Sequence, residues 1–304
     1  MNFSRVIYYL RNPQELQFVL ALRYPKLFSD KQFLKVIYRK LMGSELNLEC
    51  PQTFSEKLQW LKLYNHNPQY TQMVDKYEAK KYVAGIIGDE YIIPTLAVYN
   101  NTAEIDLDAL PDRFVLKCTH DSGSVAICKD KKTFKKNEAF AMLEKGLRKN
   151  FFWENREWPY KNVKPRIIAE AYLEDKDTPD LRDYKFFSFG GEVKYCQVIS
   201  GRNSTMCIDF FDRDWNHQPF HGLGYYPFAE AAIDCPRQLE KMWQAATMLA
   251  KDKPFSRIDF YEAGDSVYFG EITFFPASGF GGFYPQEWDY KFGQWLKLPS
   301  KKTT

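Results

Sequence analysis

Residues 255–275 read FSRIDFYEAGDSVYFGEITFF, two β-rich runs joined by a turn. Alternate residues of a strand share a face, so Arg257 and Asp259 point one way while Ile258 and Phe260 point the other. Glu271 follows on the second run. An arginine and two carboxylates on the walls of a hairpin need a reason, because apolar side chains would pack there at less cost. A three-residue turn, Ala263-Gly264-Asp265, would pair Arg257 with Glu271 and leave Asp259 on a diagonal of about 7–8 Å. A two-residue turn would put the carboxylates on opposite faces, so a shared cation site requires an odd loop or a bulge. Two carboxylates completed by phosphate oxygens suit Mg2+. A salt bridge between Arg257 and one carboxylate is the plainer alternative.

Outward from this hairpin, other short runs are also strand-like. YIIPTLAVY (91–99), RFVLKCTH (113–120) and SVAICKD (124–130) precede a helical stretch over 133–150. PRIIAEAYLE (165–174) reads as a buried strand, DYKFFSFGGEVKYCQVISGR (183–202) as a hairpin turning at Gly190-Gly191, and TMCIDFFDRDW (205–215) as a further strand. A helix is expected over about 235–251. Residues 1–70 carry helix-like spacing, as in DKQFLKVIYRKLMG, and Thr53 with Glu56 forms a capping-box pattern before TFSEKLQWLKLY. Residues 71–84 read as one more helix, ended by Gly85 or Gly88. Strands and helices mixed without regular βαβ alternation indicate α+β lobes. The expected division is a helical N-terminal region, 1–70, and a two-lobed domain, 71–304, split near 172/173.

Composition narrows the class. The chain has 304 residues, 45% hydrophobic and 27% charged, values of a folded protein with a sizeable core. A net charge of +3 is too weak to argue for nucleic acid. Six scattered cysteines without a CxxC pair fit a reduced, cytoplasmic setting. Aromatics at 17% suit either a thick core or a carbohydrate-facing surface. No stretch approaches the roughly 20 apolar residues of a membrane span. The N-terminal 25 residues mix Arg, Lys and aromatics, which fits a helix lying on a membrane surface or one packed on the main domain.

Further groups carry chemistry. In FVLKCTHDSGSVAI a strand ends at Lys117, and the loop Ser122-Gly123-Ser124 can turn N–H groups and hydroxyls toward phosphate oxygens. It is no Walker loop, and an ordinary hairpin loop is the alternative. Lys76 lies near a helix start and Glu170 at a strand end. His217 and His221 are four apart, but Pro219, Gly222 and Gly224 argue against a zinc-binding helix. SGFGGF (278–283) lacks the context of a dinucleotide fingerprint and reads as a substrate loop. His120 reads as a loop histidine.

Taken in order, Lys76, Lys117 with its small-residue loop, Glu170-Ala171-Tyr172-Leu173, Asp259 and Glu271 resemble the nucleotide-site elements of the ATP-grasp superfamily. VDKYEAKKYV, GDEYIIPTLAVY, LPDRFVLKCTHDSGS, DYKFFSFGGEVKY, FFDRDWN and RIDFYEAGDSVYFGEITFFPASGF resemble its TupA-like branch, associated with bacterial cell-surface polysaccharide synthesis. The resemblance implies two α+β lobes clasping ATP. Lys76, Lys117 and Ser122, Gly123 and Ser124 would meet its phosphates. Glu170, Ala171, Tyr172 and Leu173 would meet adenine, and Asp183 and Lys185 would face nucleotide or substrate. Asp259 and Glu271 would ligate Mg2+, and Arg257, with Lys117, would serve the transferring phosphate. Where the superfamily has Glu-x-Asn, this chain has Glu271-Ile272-Thr273, so Thr273 offers a hydroxyl as a weaker ligand.

The implied reaction is ADP-forming carboxylate–amine ligation through an acyl phosphate. Its expected partners are a carboxylate acceptor, such as a uronic acid of a surface polysaccharide or precursor, and an amine, with peripheral association to membrane-bound polysaccharide machinery. Basic and aromatic residues in 150–166 and 202–225 are candidate lining for the acceptor cleft. A kinase acting on a sugar hydroxyl and a non-catalytic nucleotide-binding component are the alternatives.

Overall fold

The computed structural model describes residues 8–9, 11–175, 181–201 and 205–301, so parts of the 1–25 and 202–225 segments weighed above lie outside the described residues. Helix α1 (Pro13–Arg23) takes proline at its start, where a missing N–H costs nothing. A short turn over Pro25–Leu27 leads to α2 (Asp30–Met42), which has a Ser29–Gln32 capping box and ends at left-handed Gly43. The Thr53–Glu56 box starts α3 (Phe54–Tyr64): Thr53 Oγ1 accepts from the Glu56 N–H, and the Glu56 carboxylate accepts from that of Thr53.

The single helix expected over 71–84 is two. Helix α4 (Gln69–Val74) stops at Asp75, which is extended, and α5 (Glu78–Ile87) runs on to Gly88. The break is pinned from outside. Asp75 accepts from the Tyr77 N–H at 2.9 Å and from Arg166 at 2.7 Å, while the Lys76 N–H donates to the Thr119 carbonyl at 3.0 Å.

Two antiparallel sheets follow. The first has order β1-β4-β2-β3, from β1 (Thr95–Tyr99), β2 (Phe114–Cys118), β3 (Val125–Cys128) and β4 (Ile167–Ala171), with α6 (Lys136–Leu147) against β2 and β3. The second has order β7-β6-β5-β8-β9, from β5 (Asp183–Phe189), β6 (Glu192–Ser200), β7 (Cys207–Phe211), β8 (Phe255–Ala263) and β9 (Ser266–Thr273). After the short helix α7 (Phe152–Asn155), α8 (Leu239–Ala250) packs on the central strands of this second sheet, and α9 (Glu287–Trp295) packs on α3. Gly190 and Gly191 both have positive φ, as a two-residue β5–β6 turn demands.

Most of the aromatic content goes into the core beneath the second sheet. Phe54 meets Phe189, Phe255, Phe283 and Phe292 edge-on at centroid distances of 4.9–6.1 Å. Burying each such ring is worth about 1.5–3 kcal/mol in transfer free energy. A smaller core of Phe114, Leu116, Leu143 and Ile167 lies under the first sheet. Tyr70, Met73, Val83 and Tyr91 join the larger core. Packing thus groups residues 69–91 with the N-terminal helices rather than with the first sheet.

Candidate functional site

The 255–275 hairpin closes through a two-residue turn, Gly264-Asp265, with Ala263 opposite Ser266. Left alone, that register would separate the carboxylates. A bulge between Asp259 and Phe260 shifts it by one, so Asp259 lies opposite Glu271 and Arg257 opposite Thr273. The expected Arg257–Glu271 cross-strand pair is therefore corrected, while the required irregularity is present. Gly270 is the extra residue. A Cβ there would lie 3.2 Å from both the Asp259 carbonyl and the Tyr261 ring, which leaves little room for any other side chain.

The Arg257 guanidinium clasps Asp259 through Nε and Nη2, both at 2.7 Å, and Nη2 also donates to Glu271 Oε1 at 2.8 Å. Thr273 Oγ1 donates to the same Glu271 oxygen at 3.0 Å. From β5, Lys185 pairs with Asp183 at 2.6 Å and contacts Asp259. Burial works against the Arg257 charge, but Asp259 and Glu271 outweigh it and raise its pKa. Burial also pushes Glu271 up, yet Arg257, Lys185 and Lys76 prevail and bring it down to about 2. Burial raises Asp259 against the pull of Arg257 and Lys185.

The first sheet supplies a second charged group. Glu170 on β4 sits between Lys117 on β2, at 2.5 Å, and Lys80 on α5, at 2.6 Å. Burial opposes the Glu170 charge, but the two lysines lower its pKa overall. Lys80 was not singled out from the sequence; its place one helical turn after Lys76 was the available signal. Lys76 is half-buried, and loss of solvent lowers its pKa; its ammonium donates to the Asp121 carbonyl while lying within electrostatic reach of Glu271 and Lys117.

These groups face a cleft of about 1400 Å3 between the sheets. Lys76, Lys117, Ser122, Gly123, Glu170, Ala171, Tyr172, Leu173, Asp183, Lys185, Arg257, Asp259 and Glu271 all line it. Ser124 does not: its hydroxyl donates to Asp121 and packs against Gly146, inside the first lobe. Thr273 reaches the site through Glu271 and Arg257. His217 bonds Asp209 at 2.8 Å, and His221 stacks on Phe228, so the two histidines have different partners. His120 is buried against the Gly146 carbonyl.

A second cluster beside the site was also missed. Lys62 of α3 is buried and donates to Gln59 Oε1 and to the Asn155 and Ser278 carbonyls at 2.7–2.9 Å. The Ser278 hydroxyl donates to Glu157 at 2.6 Å. Burial brings Lys62 down to about 7 and Glu157 up to about 6. This network holds residues 277–279, all at positive φ, just beyond β9. Apolar spacing in TFSEKLQWLKLY concealed it, since Lys62 there looks like a solvent-facing helix position.

The donor set suits a magnesium–nucleotide pair. One Arg257 nitrogen lies within 2.8 Å of oxygens from both Asp259 and Glu271, a position where a cation bridges the two carboxylates. Hard oxygen donors are the ligands Mg2+ prefers.

A family model described as TupA-like ATPgrasp matches residues 56–297. No curated protein matches the chain. Among solved structures, D-alanine–D-alanine ligase from Bacillus anthracis complexed with ATP is similar at 17% identity and TM-score 0.38, with 68% of this chain and 54% of that one covered. The Helicobacter pylori D-alanine–D-alanine ligase gives 16% and 0.38, with 74% and 61% covered. An L-amino acid ligase from Bacillus licheniformis gives 10% and 0.41, with 82% and 54% covered. The chain thus spans little more than half the length of these proteins. The family match takes in both sheets, the bulged hairpin and every residue of the cleft named above: the chain belongs to the TupA-like ATP-grasp family.

Proposed function

We propose that the protein is an ATP-dependent, ADP-forming carboxylate–amine ligase. The observation that carries this reading is the convergence on one cleft of cations from both lobes, Lys76 and Lys117 with Lys185 and Arg257, against the paired carboxylates Asp259 and Glu271. Four cations match a triphosphate and a carboxylate held side by side, whose mutual repulsion is the main obstacle to phosphoryl transfer. Asp259 and Glu271 would hold Mg2+, which when bound offsets phosphate charge. Arg257 would leave its carboxylate partners and turn to the γ-phosphate. Lys76, from the break between α4 and α5, and Lys117, from β2, would hold the phosphates, and Ala171 to Leu173 would line the adenine side.

In the reaction, a carboxylate oxygen of the acceptor attacks the γ-phosphorus, the β–γ bond breaks, and ADP leaves. The amine then attacks the acyl carbon, expelling phosphate and losing a proton as the amide forms. We assign the acceptor to uronic-acid-type carboxylates of a bacterial cell-surface polysaccharide or its precursor. The likeness to TupA-type sequences supports this class. So does an exposed aromatic group in which Tyr225, after β7, and Tyr284, after β9, meet edge-on at 5.6 Å, with His221 4.5 Å from Tyr225. Such rings can stack on pyranose faces.

Thermal unfolding with Mg2+·ATP tests the site. Ligand at 100 times its Kd should stabilise the protein by about 2.7 kcal/mol, only with the metal present, and Glu271→Gln should lose most of that shift. Absence of any shift in the wild type would overturn the nucleotide reading. Hydroxylamine trapping then tests the chemistry: a hydroxamate formed with a uronic acid, Mg2+ and ATP marks an acyl phosphate. Phosphate-ester formation without hydroxamate would instead favour the kinase.

A further inference from the structure

Exposed large apolar side chains are concentrated in the N-terminal segment, outside the matched family region. Tyr8, Val19, Leu20, Leu22, Tyr24, Leu27 and Leu41 are seven of the fifteen such side chains among the described residues, all within the first 41 positions. Leu27, in the turn after α1, is 79% exposed, and Leu22 is 54% exposed.

Helix α1 carries apolar side chains on two faces, with Gln14, Glu15, Gln17 and Arg23 between them. Phe18 and Ala21 face the larger core, while Val19, Leu20 and Leu22 face outward. Glu15 and Gln17 are met by Lys40 and Arg39 of α2, which leaves Val19, Leu20 and Leu22 as an uncovered apolar side. The charge around it is net positive, although Lys40 pairs with Glu15, Arg39 with Glu45 and Lys31 with Glu49. Residues 11–40 hold seven Lys or Arg against two Asp or Glu, while the whole chain carries +3, so the remainder is net negative. Exposed Arg11, Arg23 and Lys26 flank the apolar side chains of α1 and its turn.

The segment is not a loose tail. Arg156, 1% exposed, donates to the Pro25 carbonyl at 2.6 Å, pairs with Asp30 at 2.7 Å, and lies 4.1 Å over the Phe33 ring. An otherwise fully buried arginine therefore fixes the turn that displays Leu27. Eleven residues span only about 16 Å as a helix, and no helix among the described residues is long and apolar enough to cross a membrane.

We infer that α1 and its turn seat on an anionic lipid surface, with Leu22, Tyr24 and Leu27 entering the headgroup boundary and Arg23 and Lys26 meeting lipid phosphates. Exposed apolar side chains flanked by exposed basic ones at the end of α1 favour an anionic lipid surface through apolar burial and charge together. A protein partner or a second copy of the chain would have little use for this excess of one sign unless its own surface were acidic. The remainder of this chain is only weakly so.

Cosedimentation of the full chain with vesicles tests the inference. Wild type should pellet with 1:1 phosphatidylglycerol/phosphatidylcholine vesicles at 50 mM NaCl, and release in 0.5 M NaCl or with pure phosphatidylcholine. Leu22→Gln with Leu27→Gln should weaken binding by about tenfold or more. Arg23→Gln with Lys26→Gln should weaken it about fivefold per charge. Both pairs are exposed, so unchanged melting temperatures will separate lost docking from lost folding. If either pair lowers the melting temperature, the single change Leu27→Gln replaces it. Wild type remaining in the supernatant with anionic vesicles overturns the inference. So does a dimer in analytical ultracentrifugation that Leu22→Gln with Leu27→Gln converts to monomer, since a second copy would then cover the face.

Discussion

Asp289, near the start of α9, accepts from both the N–H and the hydroxyl of Ser55, at 2.9 and 3.1 Å, and so ties α9 to the first turn of α3. Burial raises its pKa to about 6, from an ordinary value of 3.8. Between those values the native carboxyl holds a proton that the unfolded chain has released. Its contribution to stability is therefore fully present below pH 3.8 and is lost as pH rises through 6. Asp289→Asn keeps an acceptor for Ser55 but does not titrate, so its urea midpoint relative to wild type should rise between pH 4.5 and 7. A constant difference across that range would show that Asp289 titrates normally. At this scale the sequence disclosed residue types well and partners poorly. Asp259 and Glu271 were readable because carboxylates are costly on β walls. Lys62 and Glu157, or Lys80 and Glu170, were not, because about 90 residues of chain separate each pair before folding brings them together.

Among the elements, the 255–275 hairpin shows where pattern reading stops. Both strands were visible from β-propensity and the Gly-Asp turn, but alternation has period two and a bulge adds one residue without altering composition. Gly270 is the only local trace, a glycine inside a strand. Its replacement tests how tightly the bulge sets the site. In Gly270→Ala the new Cβ would press on the Asp259 carbonyl, and β5 and β9 flank β8 on both sides, so little can yield. The Mg2+·ATP-dependent shift in melting temperature should shrink by at least half. Gly264→Ala is the control: its Cβ would meet nothing, but φ of +58° costs a non-glycine residue about 1–2 kcal/mol. It should lower stability while leaving the nucleotide shift intact. Equal losses of the shift in both variants would mean that hairpin stability, rather than the Asp259 position, governs binding. The break between α4 and α5 has a similar origin. The apolar period runs through it, and only the hold of Arg166 and Thr119 on residues 75–76 interrupts the helix.

Across the whole molecule, two cores of unequal size carry the two sheets, and the cleft between them collects charge from both. The α+β class was legible because strands and helices alternate irregularly. The packing of residues 69–91 with the larger core was not, since their apolar faces fit either lobe equally well by sequence. Most aromatic residues proved to be core, because rings of this size fill the space between a five-stranded sheet and the helices covering it. One feature of the cleft reaches beyond its geometry. With Arg257 spanning both carboxylates and Lys185 on Asp259, the cluster is already close to electrically balanced. A lone divalent ion arriving there must displace buried Arg257 from both of its hydrogen-bonded carboxylate partners. Nucleotide phosphates give that arginine a new partner, so metal and nucleotide should enter as a pair, and titration calorimetry with MgCl2 alone should register no binding up to millimolar concentrations. Saturable heat without nucleotide would mean that the arginine yields on its own. On the proposed function, the ion pair at the heart of the cleft would thus act as an interlock on the order of arrival, keeping the carboxylates closed to free metal until a triphosphate is there to receive the arginine.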